Sequence, residues 1–190
     1  RQTSYIEADV KFLQGMIVHH KQAILMSSMV GKRTNNPTIV DLADRIDASQ
    51  EDEISFMEGW LKDRGENVPE ENEHSMMDHG NNHHNMGHHD MSMHLDMVGM
   101  ASPKQLKELE NSKSTDFDRL FLQLMIAHHD GALEMVKDLK KFSGAAYDPI
   151  LNEFVSDLVN DQGVEIERMN TIAVGLSDDP RSGLAHGLYT

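Results

Sequence analysis

The 190-residue sequence contains no cysteine, which excludes a disulfide framework, a thiolate metal site and a cysteine nucleophile. Basic residues are also scarce: 17 Lys and Arg stand against 32 Asp and Glu, so the formal net charge is −15. Such a surface repels nucleic acid and anionic membranes, whereas it suits cations such as metal ions. No apolar run is long enough to span a bilayer, so we expect no membrane insertion.

Histidine and methionine are frequent, with 12 and 14 copies, while aromatic residues make up only 5% of the chain. Methionine fills apolar cores as a flexible side chain, but its thioether is also a soft metal ligand. Imidazole is a ligand of intermediate softness. Composition leaves both roles open, so the positions of these residues in the chain must distinguish them.

The sequence contains an internal duplication. The stretch FLQGMIVHHKQAILM at residues 12–26 returns as FLQLMIAHHDGALEM at residues 121–135. A second pattern, Gln-x-x-Glu-Ile-x-x-Met, follows each copy at residues 50–57 and 162–169, and apolar residues recur in all four segments at helical spacing. The sequence therefore predicts an all-α fold, a ferritin-like four-helix bundle made of two repeated αα-hairpins joined by a long Met/His-rich crossover.

We predict a single domain over residues 1–190 with four main helices. The helices are expected at residues 4–32, 37–64, 115–142 and 149–175. The parts of the domain are a first hairpin at 4–64, the crossover at 65–101, a second hairpin at 102–175 and a tail at 176–190.

Local signals agree with these helices. A serine followed three residues later by Glu or Gln predicts a capping box, and a proline after Asn or Asp fits a first helical turn. A glycine after the last turn is a typical helix stop. These signals are Ser4 with Glu7, Ser102 with Gln105, Pro37, Pro149 and Gly65.

The paired histidines share one face of each repeated helix with apolar residues, within a stripe about 120° wide, so this face should point into the bundle. The candidate ligands on the two faces are Met16, His19, His20, Met26, Met125, His128, His129 and Met135. The histidines are either metal ligands or hydrogen-bonded core residues. Met57 and Met169 continue apolar stripes and are predicted to pack in the core.

Folding each hairpin about its turn predicts which residues lie level with the histidines. In the partner helices, four polar residues interrupt the apolar stripes at that height: Gln50, Glu53, Gln162 and Glu165. Buried polar groups need partners, so we expect a polar layer in mid-bundle in which Gln and Glu side chains orient the imidazoles.

The crossover concentrates Met and His in a setting that is nearly free of other core residues, so packing does not explain them. Many of them are three or four residues apart, which suits shared binding of one ion. The candidate ligands are Met76, Met77, His79, His83, His84, Met86, His88, His89, Met91, Met93, His94, Met97 and Met100. The alternative is a polar linker that binds nothing.

Thioether and imidazole together form a soft to intermediate ligand set, which suits Cu(I) and its surrogate Ag(I). Cu(II) is an alternative at the His-rich positions. Zinc more often recruits Cys, or His with carboxylate, and hard ions prefer oxygen ligands. The crossover therefore predicts copper more strongly than other metals.

The motif Met-Ile-x-His-His at residues 16–20 and 125–129, with the Gln-x-x-Glu-Ile-x-x-Met helix after it, resembles that of the domain-of-unknown-function family 305. The resemblance covers both hairpins and the insert. It implies a ferritin-like bundle, a periplasmic or secreted location, and binding of Cu(I) and Ag(I) in copper tolerance. By motif position, the family's functional residues would be Met16, His19, His20, Met125, His128 and His129. No export signal is present, so we expect a processed form.

We predict a copper-binding protein, and not an enzyme, that sequesters or carries Cu(I) and contributes to copper resistance. One alternative is a ferritin-like di-metal oxidase, although the bundle helices lack the Glu-x-x-His motif of such sites. Another is a non-catalytic scaffold bundle that docks a copper-transport partner. The expected partners are copper ions and a copper efflux or transfer protein.

Overall fold

The computed structural model describes residues 4–70 and 97–178, and within these ranges it contains five α-helices and no strand. The helices are α1 (Glu7–Ser28), α2 (Pro37–Asp63), α3 (Pro103–Glu110), α4 (Ser114–Leu139) and α5 (Pro149–Asp178), with a short 3-10 helix at Val30–Lys32. The predicted all-α fold is confirmed. None of these described helices has the length and apolar composition that a bilayer crossing requires.

Two hairpins form a four-helix bundle. Helix α1 packs against α2, α4 packs against α5, and the contact between α1 and α4 joins the two hairpins. Helices α2 and α5 also meet, because the rings of Phe56 and Phe154 stack with their centroids 4.2 Å apart. A single hairpin would leave its apolar stripe in water, and the second copy covers it.

The apolar core consists of two clusters, one toward each end of the bundle. One cluster includes Leu13 and Leu158, and the other includes Ile39 and Phe121. The parts of α1 and α4 that separate the clusters carry the paired histidines. The paired histidines therefore lie in a layer between two apolar regions.

Helix α1 begins later than predicted. Ser4 lies outside the helix, and the chain enters α1 at Ile6. The buried carboxylate of Asp9 accepts the N–H of Ile6 at 3.0 Å and the N–H of Ala146 at 2.8 Å. The capping box predicted for Ser4 and Glu7 is therefore wrong, because Asp9 takes the capping role and also ties the α4–α5 connection to α1.

The predicted capping box at Ser102 is present, but it starts a different helix. The hydroxyl of Ser102 accepts the Gln105 N–H at 3.1 Å, and Gln105 Oε1 accepts the Ser102 N–H at 2.8 Å. This cap begins the short helix α3, which the four-helix prediction does not contain. Asn111 ends α3, and the third main helix starts only at Ser114.

The other helix-end signals are confirmed. Pro37 and Pro149 are the first residues of α2 and α5. Gly65 follows α2 with φ of +72°, and the N–H of Glu66 bonds the Leu61 carbonyl at 2.9 Å. This is the left-handed glycine stop that satisfies the last carbonyls of a helix.

The C-terminal end of the crossover, residues 97–101, lies on α1 and α4, and we call it the crossover anchor. A Cβ atom on Gly131 would lie only 2.1 Å from the Val98 carbonyl oxygen. Gly99 has φ of +84°, and a Cβ atom on it would lie 2.5 Å from the Ala127 carbonyl oxygen. The two backbones can approach this closely only because both positions are glycine.

Two side chains of α1 hold the crossover anchor. The amide of Gln22 donates to the Ala101 carbonyl at 3.0 Å and accepts the Ala101 N–H at 2.8 Å. Nε2 of His19 donates to the Val98 carbonyl at 3.1 Å. The end of the crossover is thus fixed between the two hairpins by hydrogen bonds and by backbone contact.

Replacing Gly131 with alanine is expected to destabilise the protein, because the new Cβ would overlap the Val98 carbonyl. The free energy of unfolding in urea should fall by about 1–3 kcal/mol, the usual range for overpacking. Gly163→Ala is the matched control, since Gly163 is also helical and a Cβ there meets nothing within 4 Å in the described ranges. This control should be neutral or slightly stabilising. Equal stability of the two variants would contradict the close contact.

Candidate functional site

Four imidazoles meet in the middle of the bundle. Each is at most 1% exposed, and the rings of the two that face each other across α1 and α4, His19 and His128, have centroids 3.8 Å apart. They meet because the duplicated pairs lie at the same height on two packed helices. Together with the two glutamates that bond them they form the histidine layer: His19, His20, His128, His129, Glu53 and Glu165.

Each hairpin supplies one buried histidine–glutamate pair. Nε2 of His20 lies 2.6 Å from Glu53 Oε1, and Nε2 of His129 lies 2.5 Å from Glu165 Oε1. Ser49 donates to the other oxygen of Glu165 at 3.2 Å, which links α2 to α5. The predicted mid-bundle polar layer is therefore confirmed for the two glutamates.

The two glutamines of the predicted layer are also buried. Gln50 and Gln162 are each 1% exposed. Neither atom of the Gln50 side-chain amide has a hydrogen-bond partner among the described residues. A buried amide without partners is unfavourable, so an orienting role for Gln50 is not visible in the described contacts.

Backbone carbonyls determine which ring nitrogens carry a proton, because a carbonyl can only accept. Nε2 of His19 donates to Val98, and Nε2 of His128 donates to the carbonyl of His19 itself at 2.8 Å. In His129 it is Nδ1 that donates, to the Met125 carbonyl at 3.0 Å. The short bond between His129 and its glutamate therefore needs a further proton, either on Nε2 or on the carboxyl group.

Burial keeps three of the four imidazoles uncharged. It lowers the pKa of His19 and of His20 to about 3, and it lowers the pKa of His128 well below the ordinary range. Burial and the nearby charge of Glu165 raise the pKa of Glu53 to about 7. At neutral pH these three imidazoles are therefore neutral, and a neutral imidazole retains one nitrogen lone pair.

The methionines of the bundle lie in two kinds of environment. Met16, Met26 and Met125 are fully buried in the apolar clusters. Met57 and Met169 are also fully buried there, which confirms their predicted packing role. These five thioethers contribute to the core through their apolar volume.

Two other methionines, Met97 and Met135, lie close to Gly15 on α1. A Cβ atom on Gly15 would lie 3.9 Å from Sδ of Met97 and 3.6 Å from Cε of Met135. Met100 is half-buried in the crossover anchor. The remaining candidate ligands of the crossover lie outside the described residues: Met76, Met77, His79, His83, His84, Met86, His88, His89, Met91, Met93 and His94.

Three residues that lie beside the crossover anchor, Gly15, Gln22 and Gly131, are not among the ligands predicted from the sequence. They are nevertheless visible as departures from the repeat: Gly15 corresponds to Leu124, and Gln22 corresponds to Gly131. At both positions one copy has a glycine where the other has a large side chain. The positions at which the two copies differ therefore mark the region of the bundle that contacts the crossover anchor.

The geometry restricts the chemistry that the described residues can perform. Within residues 4–70 and 97–178, no three His, Asp or Glu side chains converge closely enough to hold a metal ion. The glutamates of the histidine layer are already bonded to imidazoles. The histidine layer therefore leaves imidazole lone pairs to an ion, and the thioethers of the bundle are soft donors of the same class.

Acid is expected to destabilise the metal-free protein through the histidine layer. His19 and His20 have a pKa of about 3 in place of 6.5, so their contribution is present above pH 6.5 and is lost as the pH falls toward 3. His128 acts in the same sense. Urea unfolding measured between pH 7 and pH 5 should show the loss, about 1.4 kcal/mol per pH unit for each uncompensated proton.

Glu53 opposes this effect and provides the control. Its pKa is raised from 4.5 to about 7, so its contribution is present below pH 4.5 and is lost as the pH rises through 7. Glu53→Gln removes this compensation and should make the loss of stability toward acid steeper. A stability that does not change between pH 7 and pH 5 in either protein would contradict the neutral buried layer.

Comparison with known proteins gives one curated relative and several solved structures. An uncharacterised protein of Acanthamoeba polyphaga mimivirus is 45% identical over 56 residues, which are 30% of this chain and only 37% of that protein. A DUF305 protein of Streptomyces coelicolor is 26% identical, with 90% of this chain and 94% of that chain covered and a TM-score of 0.70.

CopM in a Cu(II)-bound form is 27% identical, with 88% of this chain and 96% of that chain covered and a TM-score of 0.63. A Cu(I)-bound form of CopM, at 24% identity, has the same fold, with 92% and 98% of the two chains covered and a TM-score of 0.62. The model of the family described as domain of unknown function DUF305 matches residues 9–173. This match covers most of the chain and both hairpins, and the chain therefore belongs to the DUF305 family.

Proposed function

We propose that this protein binds Cu(I), with Ag(I) as its surrogate, through Met and His side chains, and that it sequesters or carries copper as part of copper resistance. The role is binding and not catalysis, and the location is the periplasm or the cell exterior. The ion is the cargo of the protein. A copper efflux or transfer protein is the partner that would receive it.

The observation that carries the proposal is the density of soft ligands between Met76 and Met100. Thioethers contribute little to zinc sites or to hard-ion sites. A large number of methionines outside an apolar core therefore favours Cu(I) and Ag(I). The end of this segment is fixed to the bundle through His19 and Gln22. The bundle therefore serves as a rigid support for a ligand-rich segment.

The histidine layer supports a division of roles. Its carboxylates bond imidazoles, and three of its four histidines donate to backbone carbonyls. An ion that took all four imidazoles would have to break a bond of His129 in a buried site, because both of its ring nitrogens are already engaged. We therefore propose that the crossover is the principal copper-binding region and that the layer mainly holds the two hairpins and the crossover anchor together.

Two further findings support copper as the cargo. The net charge of −15 attracts cations and favours their capture from dilute solution. CopM, to which the whole bundle is similar, has been described in Cu(II)-bound, Cu(I)-bound and Ag-bound forms. The similarity to CopM is one of fold and family. The preference for Cu(I) is inferred from the Met-rich segment of this chain.

Anaerobic titration against a chromogenic Cu(I) chelator tests the proposal. We expect the full chain to compete for Cu(I) at micromolar protein. Replacement of Met76, Met77, Met86, Met91 and Met93 by leucine should lower the number of ions bound, because leucine keeps the volume and removes the sulfur. No competition by the unmodified chain would overturn the proposal.

The matched control replaces methionines that the structure places in the core. Met57→Leu and Met169→Leu remove two thioethers that are fully buried, and they should leave Cu(I) stoichiometry unchanged. Acid should weaken the sites that include histidine, because protonated imidazole does not bind metal, while sites made only of thioethers persist. Equal losses in the core and crossover variants would contradict the assignment of the crossover as principal site.

A further inference from the structure

We propose that Met97, Met135 and His19 form a soft-cation subsite on the bundle, which takes one Cu(I) or Ag(I) ion through two thioether sulfurs and the Nδ1 lone pair of the imidazole. The inference rests on the proposed function, because it identifies one site within it. It joins the crossover anchor to the α1–α4 face, so the site belongs to the bundle as well as to the crossover.

Two thioether side chains, those of Met97 and Met135, meet beside Gly15. Sδ of Met97 and Cε of Met135 both lie within 4 Å of the place where a Cβ of Gly15 would be. They come from different parts of the chain, the crossover anchor and α4, and glycine leaves the space between them open. The other repeat has Leu124 at the matching position, and that side chain is buried in the core.

The backbone next to Met97 is held in place by contacts with the bundle. The next residue, Val98, is bonded to His19 and lies against Gly131, and Ala101 forms two bonds with Gln22. Much of the ordering entropy that an ion would otherwise demand of a flexible segment has therefore already been lost on folding. Met135 is likewise partly buried against the apolar cluster.

His19 has a buried nitrogen lone pair that no described group uses. Its Nε2 carries the proton that the Val98 carbonyl accepts, so Nδ1 of the neutral ring is unprotonated. Nδ1 is buried and has no hydrogen-bond partner among residues 4–70 and 97–178.

The His19 imidazole belongs to the part of α1 that also carries Gly15 and contacts the crossover anchor. His19 is one turn after Gly15 on the same face of α1, and helical side chains lean toward the N-terminus over the preceding turn. Its Nε2 donates to the carbonyl of Val98, the residue that follows Met97, so the ring lies beside the crossover anchor. Methionine has three rotatable bonds, so small torsional changes can bring both sulfurs onto an ion beside the ring.

The donor set defines the class of cation. Two thioethers and one imidazole, without a carboxylate, suit a soft monovalent ion and discriminate against zinc, calcium and magnesium. In the described part of the chain no cluster of three His or acidic residues competes for the ion. The subsite is thus selective through the identity of its ligands.

The test follows the methionine methyl signals of the full chain during titration with Ag(I). With 13C-methyl-labelled methionine, the Met97 and Met135 signals should shift together, and the 15N signal of His19 Nδ1 should move with them. The methyl signals of Met57 and Met169 serve as internal references, because both side chains are fully buried in the core. They should stay in place.

Two variants separate the subsite from the rest of the crossover. Gly15→Leu fills the space between the two methionines and should abolish their joint shift, with the loss of one bound Ag(I) per chain. Gly59→Leu is the matched control, since Gly59 is also helical and a Cβ there meets nothing within 4 Å in the described ranges. This control should retain the joint shift.

A third variant tests the imidazole and does not depend on the tolerance of Gly15. His19→Gln keeps a donor for the Val98 carbonyl and removes the Nδ1 lone pair, so it should weaken Ag(I) binding at Met97 and Met135 while the protein stays folded. An unchanged joint shift in this variant would overturn the role of His19.

The outcomes distinguish this inference from the proposed function. If other methionine methyls shift at saturating Ag(I) while Met135 does not, the subsite is wrong and the copper-binding proposal stands. If no methyl shifts and no Ag(I) is retained by the chain, both are wrong. A joint shift of Met97 and Met135 that disappears only in the Gly15 and His19 variants supports the subsite.

Discussion

Buried imidazoles need hydrogen-bond partners, and this requirement organises the bundle. Each hairpin satisfies it internally, with His20 bonded to Glu53 and His129 bonded to Glu165. Because an unpaired buried polar group is costly, sliding one helix along its partner would break these bonds as well as the apolar packing. The same layer joins the two hairpins, since the His19 and His128 rings face each other and His128 donates to the His19 backbone.

The two repeats are not equivalent, and the differences mark where the crossover meets the bundle. Gln22 supplies an amide that bonds Ala101, while its counterpart Gly131 supplies empty space for the Val98 backbone. A symmetric bundle offers two similar faces, but the crossover needs only one seat for its end. The repeats differ at Gly15 and Leu124 and at Gln22 and Gly131, and these differences let the crossover anchor bind one face of the bundle. The histidine and glutamate residues on which the fold depends are the same in both repeats.

This arrangement assigns different tasks to chemically similar residues. Buried methionines such as Met16 and Met125 fill the apolar clusters, whereas Met97 and Met135 lie together at the edge of the core. The histidines are likewise divided by their bonds: His129 uses both ring nitrogens, while His19 keeps one buried lone pair. Whether a Met or His can bind an ion therefore depends on its surroundings, because a ligand atom must be both available and accessible.

The sequence by itself determined the all-α fold, the duplicated hairpins and the pairing of histidines with glutamates, because helical periodicity and turn positions set which residues lie level. It did not determine that Asp9, and not Ser4, caps α1, since that choice depends on the distant Ala146 N–H that Asp9 also accepts. Nor could it show that Gly15, Met97 and Met135 meet, since their contact arises only when α1, α4 and the crossover anchor pack together. Sequence patterns predict which residues are neighbours within a helix. A site formed by three segments of the chain depends on how those segments pack in the tertiary structure.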